Sequence, residues 1–111
     1  MPFQSNNGIR YFTFDIFAKN VIHAVFTRQG GLSPEPWHSL NLGGGVGDER
    51  QRVRENRFRA FQAIGRDPFS MFDVWQVHSA DVVVANAPHP HFNNPPEFKA
   101  DAIITDNPAV T

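Results

Sequence analysis

Apolar and polar positions alternate along the first quarter of the chain. Residues 9–20 (IRYFTFDIFAKN) are rich in β-branched and aromatic side chains, and their alternation predicts a strand. Residues 21–28 (VIHAVFTR) have the same strand propensity, and the pair Lys19-Asn20 favours a turn between the two runs. We therefore expect a hairpin over residues 9–28.

A helical period replaces this alternation over residues 48–65 (DERQRVRENRFRAFQAIG). The apolar stripe of this helix consists of Val53, Ala60, Phe61 and Ile64. Asp48 is placed to cap the start of the helix, and Gly65 is placed to end it. Asn56 lies on the same face as the apolar stripe, and a buried amide needs hydrogen-bond partners. We therefore expect Asn56 to clamp a neighbouring loop.

Glycine and proline separate the remaining elements. Residues 29–47 hold six of the eight glycines, and residues 87–98 hold four prolines, so both segments are predicted to be loops. The pattern predicts two strands within residues 68–86, with a turn or bulge near Ser79-Ala80, and a further strand at residues 102–105. This order predicts an α+β fold, with a mixed sheet packed with helices.

The composition limits the partners of the chain. Its 111 residues suit one domain, and the formal net charge of -1 favours neither nucleic acid nor an anionic membrane. No apolar run approaches the ~20 residues that cross a bilayer, and the lack of cysteine fits a reducing compartment, so we expect a cytoplasmic location. The eleven phenylalanines predict either a well-filled core or a surface that a partner covers.

One histidine stands inside the strand-like segment VWQVHSADVVV, residues 74–84. His78 shares its strand parity with Val74 and Gln76, so this face changes from apolar to polar toward its end. Such a change is expected where a strand leaves the core and opens on a cleft. The residues alone leave two interpretations open: a hydrogen-bonded core histidine, or a ligand or base in the cleft.

The other histidines have structural interpretations at least as good as functional ones. His89 and His91 have an H-x-H spacing that can chelate a metal, but prolines flank both of them and no third ligand is near in the sequence. We therefore expect no physiological metal at that pair. His23 lies in a predicted strand, and His38 follows a tryptophan in the long loop.

The glycine-rich segment LGGGVGDER, residues 42–50, does not carry a phosphate motif. It lacks the Gly-Lys-Ser/Thr sequence of a P-loop and the third glycine of the dinucleotide fingerprint. Asp48 and Glu49 at the start of the helix would also repel a phosphate. Its glycines are expected to permit a tight approach of the backbone. Arg28, at the end of a predicted strand, is the stronger candidate for binding an anion, with a loop anchor as the alternative.

Five segments carry a resemblance to a known family. VIHAVFTRQGGLS, SLNLGGGVGDE, VRENRFRAFQAIG, VWQVHSADVVV and KADAIITDNP follow one another within residues 20–108. Together they resemble the N-terminal half of the YfiH family, also known as the laccase-domain or polyphenol oxidase family. The resemblance implies the N-terminal half of a YfiH-like α/β sandwich. Residues 1–111 would then be a single partial domain, cut before the remaining zinc ligands.

The same resemblance implies one zinc ion. The family binds it through the His of the QVH motif and through a Cys and a second His further along, so His78 is the ligand present in this sequence. A site of two imidazoles and a thiolate leaves one position open, as in catalytic zinc, and His78 is thus the implied catalytic residue. Residues 1–111 alone are expected to bind zinc weakly or not at all and to be inactive.

The implied activity is that of a purine nucleoside enzyme. Family members cleave adenosine, inosine or methylthioadenosine with phosphate and deaminate adenosine, so a purine nucleoside and phosphate are the expected partners. Arg28 is the expected phosphate contact, and Asn41 is a second polar contact. Gln76 is expected to orient water or substrate, or to cap the strand edge.

Three alternatives remain open. The older laccase description implies copper-dependent oxidation of phenols, although one site with two His and one Cys provides no multicopper cluster. Some relatives are linked to hydrolytic editing of cell-wall precursors, which the same zinc would serve. The non-enzymatic alternative is a folded interaction module, whose Phe-rich surface self-associates because truncation exposes it.

Overall fold

The computed structural model of the chain describes residues 3–17, 19–91 and 96–111. It contains two compact units, residues 1–66 and residues 67–111. In the part of the chain that is described, no helix has both the length and the apolar character needed to cross a membrane.

The first unit begins with a tight hairpin that the sequence pattern did not predict. Strand β1 (Phe3–Asn6) pairs antiparallel with strand β2 (Ile9–Phe12). Asn7 and Gly8 connect them with φ angles of 51° and 81°. Two consecutive residues at positive φ form the two-residue turn whose twist matches that of paired strands, and Asn-Gly is the preferred pair.

Strand β2 is shorter than the predicted strand over residues 9–20, because the chain turns after Phe12. The Phe14 amide donates to Nε2 of His23 at 2.7 Å instead of to a neighbouring strand. A 3-10 turn follows at Asp15–Phe17. The strand prediction is therefore correct only for its first four residues.

Strand β3 (Val25–Phe26) pairs antiparallel with β2 and completes a sheet of order β1-β2-β3. The predicted antiparallel pairing is confirmed, but the connection between β2 and β3 is a long segment and not a tight hairpin turn. The pair Lys19-Asn20 lies in a turn, as predicted, and the Asn20 amide donates to the Phe17 carbonyl at 3.0 Å.

Helix α1 spans Arg50–Ala63 and agrees closely with the predicted helix. Gly65 ends it as expected: its φ is 73°, and the next amide, of Arg66, donates back to the Phe61 carbonyl at 2.9 Å. The predicted cap at Asp48 is wrong, because Glu49 is the residue that precedes the first helical one and it makes no side-chain cap. The carboxylate of Asp48 serves the neighbouring loop instead.

The core of the first unit lies between the helix and the sheet. Its buried residues are Ile9, Tyr11, Leu40 and Ala63, and the partly buried residues packed on them are Ala24, Phe26, Leu42 and Ile64. In the predicted stripe on the helix, Val53 and Ala60 are buried, at 5% and 1% exposure, and Phe61 and Ile64 are half-buried. Burial of these apolar side chains is the main stabilising contribution to this unit.

The second unit contains a pair of parallel strands, β4 (Val82–Val84) and β5 (Ala102–Ile104). These match the second predicted strand within residues 68–86 and the predicted strand at residues 102–105. The first predicted strand of that range is wrong: the only strand pairing within residues 68–81 is an isolated bridge at Trp75. A 3-10 turn occupies Pro68–Ser70, because the Asp67 carboxylate caps it by accepting the Phe69 amide at 2.9 Å.

The described residues contain one α-helix, an antiparallel sheet in the first unit and a parallel strand pair in the second, which makes the fold α+β with mixed strand pairing, as predicted. The predicted loop at residues 87–98 falls partly outside the described residues. Its described portions, residues 87–91 and 96–98, contain no helix or strand and one isolated bridge follows at Lys99.

Candidate functional site

His78 lies in a loop that interrupts parallel strand pairing in the second unit. Trp75 pairs with Lys99 in an isolated parallel bridge, and the pairing resumes between Val82 and Ala102. Trp75 and Val82 are seven positions apart, whereas their partners Lys99 and Ala102 are only three apart. The first segment therefore has four extra residues that do not pair with the second. We call residues 76–81 the His78 loop.

The carboxylate of Asp101 fills the inside of the His78 loop. Its Oδ1 accepts the Val77 amide at 3.1 Å, and its Oδ2 accepts the Ser79 amide at 2.8 Å. The His78 amide also donates to this carboxylate, and the Ser79 hydroxyl adds a bond of 2.5 Å to Oδ2. Consecutive amides that converge on one anion form a nest, a backbone concavity that binds negative charge.

The charge of Asp101 is favoured by its surroundings. The hydrogen bond from the Ser79 hydroxyl lowers the pKa of Asp101 below its ordinary value of 3.8, and the amides of Ser79, Val77 and His78 lower it further against an opposing effect of desolvation. The carboxylate is therefore ionised at neutral pH, which is the form that accepts several donors at once.

His78 is exposed and adopts a left-handed backbone, with φ at 57°. The predicted extension of a strand through residue 78 is therefore wrong, because the loop breaks the alternation that the sequence suggested. The predicted change along this face from buried to exposed positions is confirmed, since Phe72 is buried and Gln76 and His78 are exposed. The cleft stays a prediction. Within the described residues, His78 is not buried in a core.

The imidazole of His78 makes no hydrogen bond or ion pair with any residue in the described ranges. The same holds for the side-chain amide of Gln76. An unengaged neutral imidazole is a good ligand for zinc, so this residue fits one position of a metal site. Among the described residues, no three His, Cys, Asp or Glu side chains are grouped to hold a metal ion. The role of Gln76 stays a prediction.

Arg28 lies in the first unit at the start of the long loop. Its Nε donates to the His38 carbonyl at 3.0 Å, while its own carbonyl accepts the amides of Ser39 and Leu40, both at 2.8 Å. The side chain is therefore held on one edge, as the loop-anchor interpretation requires. Its terminal guanidinium nitrogens have no partner within residues 3–17, 19–91 and 96–111, and the side chain is exposed.

Asn56 clamps this loop from the helix, as the sequence predicted. The residue is fully buried, and its Oδ1 accepts the Leu32 amide at 2.8 Å. Its Nδ2 donates to the Ser33 hydroxyl and to the Asn41 carbonyl, both at 2.9 Å, and to the Ser39 carbonyl at 3.3 Å. One side chain thereby joins widely separated points of the loop.

Asn41 is engaged within the same loop. Its Nδ2 donates to Asp48 Oδ2 at 3.1 Å and to the Gly43 carbonyl at 3.2 Å, while its Oδ1 accepts the Gly43 amide at 3.0 Å. Asp48 is buried and also accepts the Ser33 hydroxyl, which lowers the pKa of Asp48. These bonds make Asn41 part of the loop framework, and its contact with substrate stays a prediction.

The tight backbone approach occurs at other glycines than those predicted. A Cβ at Gly44 or Gly45 would meet no atom within 4 Å. A Cβ at Gly31 would lie 2.2 Å from the Ser39 carbonyl oxygen, and one at Gly30 would lie 2.3 Å from the Gly8 carbonyl oxygen. Glycine is therefore required where the loop begins, close to Arg28.

Three further histidines, His23, His89 and His91, have side-chain partners. His91 pairs with Asp73, and His89 Nε2 lies 2.9 Å from Glu97 Oε2, so the two members of the H-x-H pair contact different carboxylates. His23 accepts the Phe14 amide and stacks on the Phe14 ring, with 6.0 Å between the ring centroids.

Comparison with known proteins gives a family. A sequence profile described as "Multi-copper polyphenol oxidoreductase laccase" matches residues 22–111, which is most of the chain. The chain belongs to this family. Its resemblance to YfiH proteins is confirmed by a 45% identity over 65 residues with "Purine nucleoside phosphorylase YfiH" of Escherichia coli, covering 59% of this chain and 26% of that protein.

The chain is also similar to "Purine nucleoside phosphorylase SCO2081" of Streptomyces coelicolor, with 42% identity over 87 residues, covering 78% of this chain and 35% of that protein. The chain thus spans between a quarter and about a third of the length of these curated relatives.

Solved structures show the same fold. Bacillus licheniformis YfiH has a TM-score of 0.79 at 23% identity, covering 98% of this chain and 42% of that one. Geobacillus stearothermophilus YlmD has a TM-score of 0.72 at 28% identity with the same coverages, 98% and 42%. The chain therefore has the YfiH-like α+β fold over nearly its whole length.

Proposed function

We propose that this chain is part of a zinc-dependent purine nucleoside phosphorylase, in which His78 supplies one metal ligand. The observation that carries the proposal is the exposed imidazole of His78, which has no partner of its own within the described residues and stands on a loop whose backbone Asp101 anchors. The names of the curated relatives support the reaction class. Deamination of adenosine by the same site is part of the proposal.

Zinc bound there would polarise an oxygen of the substrate or activate a water molecule. His78 would bind in its neutral form, which leaves one ring nitrogen for the metal. The two further ligands, a Cys and a His, would come from outside residues 1–111. Gln76, two residues before His78 and exposed, would orient water or substrate by hydrogen bonding.

The proposal is tested on the protein produced over its full reading frame. We expect about one zinc per chain and the release of hypoxanthine from inosine only when phosphate is present. Residues 1–111 alone should bind zinc weakly and show no activity, because one imidazole does not replace the hydration shell of the ion. A metal-free full-length protein without phosphorolysis would contradict the proposal.

Arg28 is the proposed phosphate contact. Its Nε is fixed by the His38 carbonyl, so the guanidinium is held in place while its terminal nitrogens remain available. This arrangement leaves the planar edge of an arginine, which binds phosphate oxygens in pairs. Holding the side chain beforehand also reduces the entropy lost on binding.

Replacing Arg28 with alanine should raise the apparent KM for phosphate by about 10-fold or more, because a charged hydrogen bond contributes about 1.5–3 kcal/mol. Phosphorolysis would be measured against phosphate concentration at a fixed concentration of inosine. Arg10→Ala is the matched control, since Arg10 is also exposed in the first unit and lies over the Phe3 ring. Unchanged phosphate dependence in Arg28→Ala would remove this residue from the site.

Copper chemistry is a second candidate, because the family profile that matches the chain carries a laccase description. Imidazole and thiolate ligands also suit copper. Parallel assays of phenol oxidation and inosine phosphorolysis, on protein loaded with zinc or with copper, separate the two candidates. The same preparations tested on amino-sugar peptides would detect hydrolysis of cell-wall precursors.

A role as an interaction module is supported by exposed apolar surface. In the second unit, large apolar side chains more than one-third exposed are Phe69, Trp75, Val77, Val82, Val84, Phe98, Ile103 and Ile104. Exposed apolar side chains that form a continuous patch mark surfaces that another chain or segment covers. We expect residues 1–111 to self-associate, with a light-scattering mass that rises with concentration. A constant monomer mass would exclude this behaviour.

A cytoplasmic location is proposed for the protein.

A further inference from the structure

Asp101 is the anchor of the loop that carries His78. We propose that Asp101 is a positioning residue, whose carboxylate holds the His78 loop in the conformation that presents the imidazole to the metal ion. This inference rests on the proposed function, because it concerns the same ligand. Asp101 itself is engaged with the loop backbone and does not need to touch the metal.

The backbone of Asp101 is fixed independently of its side chain. Its amide donates to the Asp81 carbonyl at 2.9 Å, and the amide of Ala102 donates to the same oxygen at 3.3 Å. Asp101 also directly precedes strand β5, whose pairing with β4 follows at once. The carboxylate therefore projects from a fixed position into the loop. It binds residues 77–79 in the middle of the loop, and the Asp101 amide binds the carbonyl of Asp81 at the end of the loop.

Packing does not hold the loop. Every residue from Trp75 to Val82 is exposed, so hydrophobic burial contributes little to its conformation. Four donors from three consecutive residues reach the Asp101 carboxylate instead: the amides of Val77, His78 and Ser79 and the Ser79 hydroxyl. The polar anchor is thus the dominant local constraint on the loop.

The anchor explains the backbone of His78. A left-handed φ of 57° is uncommon for a residue other than glycine and persists only where surrounding interactions favour it. It allows consecutive amides to face one carboxylate. A change to the extended conformation would turn the His78 amide away from Asp101 and redirect its Cβ, and with it the imidazole.

The test uses the full-length protein carrying Asp101→Asn, a change that keeps the side-chain shape but removes the charge. The zinc dissociation constant should rise about 10- to 100-fold, the usual effect of losing a group that orients a ligand. Asp106→Asn is the matched control, because Asp106 is exposed just beyond β5 and makes the same change of charge. Ser79→Ala removes the hydroxyl donor to Asp101 and the acceptor of the Asp81 amide but keeps the three backbone amides on the carboxylate, so it should cause a smaller increase than Asp101→Asn.

Amide hydrogen exchange in the metal-free protein gives a readout that does not depend on zinc. In the wild type, the amides of residues 77–79 should exchange slowly although their residues are exposed, and Asp101→Asn should accelerate all three. Fast exchange of these amides in the wild type would overturn the inference, even if Asp101→Asn does not fold. Thermal unfolding shows whether each variant is folded, which separates a direct change in zinc affinity from one caused by loss of the fold.

The outcomes separate this inference from the proposed function. Zinc bound through His78, with a dissociation constant that Asp101→Asn leaves unchanged, would overturn the positioning role alone. A wild-type protein that holds no zinc would overturn the proposed function and the positioning role together. Weakened zinc binding in folded Asp101→Asn, with the control unchanged, would support both.

Discussion

Replacement of His78 with alanine in the full-length protein is expected to weaken zinc binding by more than about 100-fold and to reduce phosphate-dependent inosine cleavage to a similar degree. The basis for this magnitude is that losing a group which only orients a ligand already costs about 10- to 100-fold in affinity. Loss of the ligand itself removes one of the three protein bonds proposed for the metal. Zinc content after dialysis and the rate of hypoxanthine release measure the two effects.

The fold should be unaffected by this change. His78 is exposed, and only its backbone amide is bonded to Asp101, so alanine at this position retains the anchor. His89→Ala is a suitable control, because it removes another imidazole of the second unit that contacts Glu97. We expect that control to retain zinc and activity. If His78→Ala retains both as well, His78 is not a ligand, and the family relationship describes only the fold.

Replacement of Asn56 with alanine is expected to lower the free energy of unfolding by about 3 kcal/mol, because each buried polar group left without a partner costs about 1–3 kcal/mol. The substitution removes the acceptor of the Leu32 amide and the donor to the Ser33 hydroxyl and two carbonyls. It also frees the loop that begins at Arg28, so the KM for phosphate should rise in parallel if Arg28 binds phosphate.

Denaturant unfolding monitored by far-UV circular dichroism measures the change in stability. Gln51→Ala is the matched control on the same helix: Gln51 is exposed, and truncation there should change the free energy by less than about 0.5 kcal/mol. A loss below about 1 kcal/mol for Asn56→Ala would mean that water or other groups replace the clamp.

The predictions that the structure confirms rest on local patterns. The helix and its glycine end follow from a periodicity within one segment, and the burial of Asn56 follows from its place on the apolar stripe. Its role as a clamp follows because a buried amide has to be hydrogen-bonded.

The wrong strand prediction over the second half of residues 9–20 has a different origin. Strand propensity was present there, but a strand also needs a partner, and the His23 ring took the Phe14 amide.

In the candidate site, too, the sequence indicated some residues and missed one that depends on contacts between distant segments. His78 was visible in the sequence as a polar residue at the end of an apolar face, and Arg28 was visible as a cation beside two glycines. Asp101 was not singled out, although it stands inside the quoted segment KADAIITDNP. Its partners Val77 and Ser79 are 24 and 22 residues away in the chain, and no periodic pattern links such positions.

The sequence alone determined the helix, the segments that contain strands β2 to β5, the loop clamp and the family relationship, because each depends on side chains close together in the chain or on motifs in a given order. Only the tertiary structure decided that the His78 segment leaves its strand pair as a loop, and that the carboxylate of Asp101, just before the neighbouring strand, holds that loop. The physical reason is register: four extra residues between two parallel pairings create the loop, and a pairing register exists only once two distant segments meet.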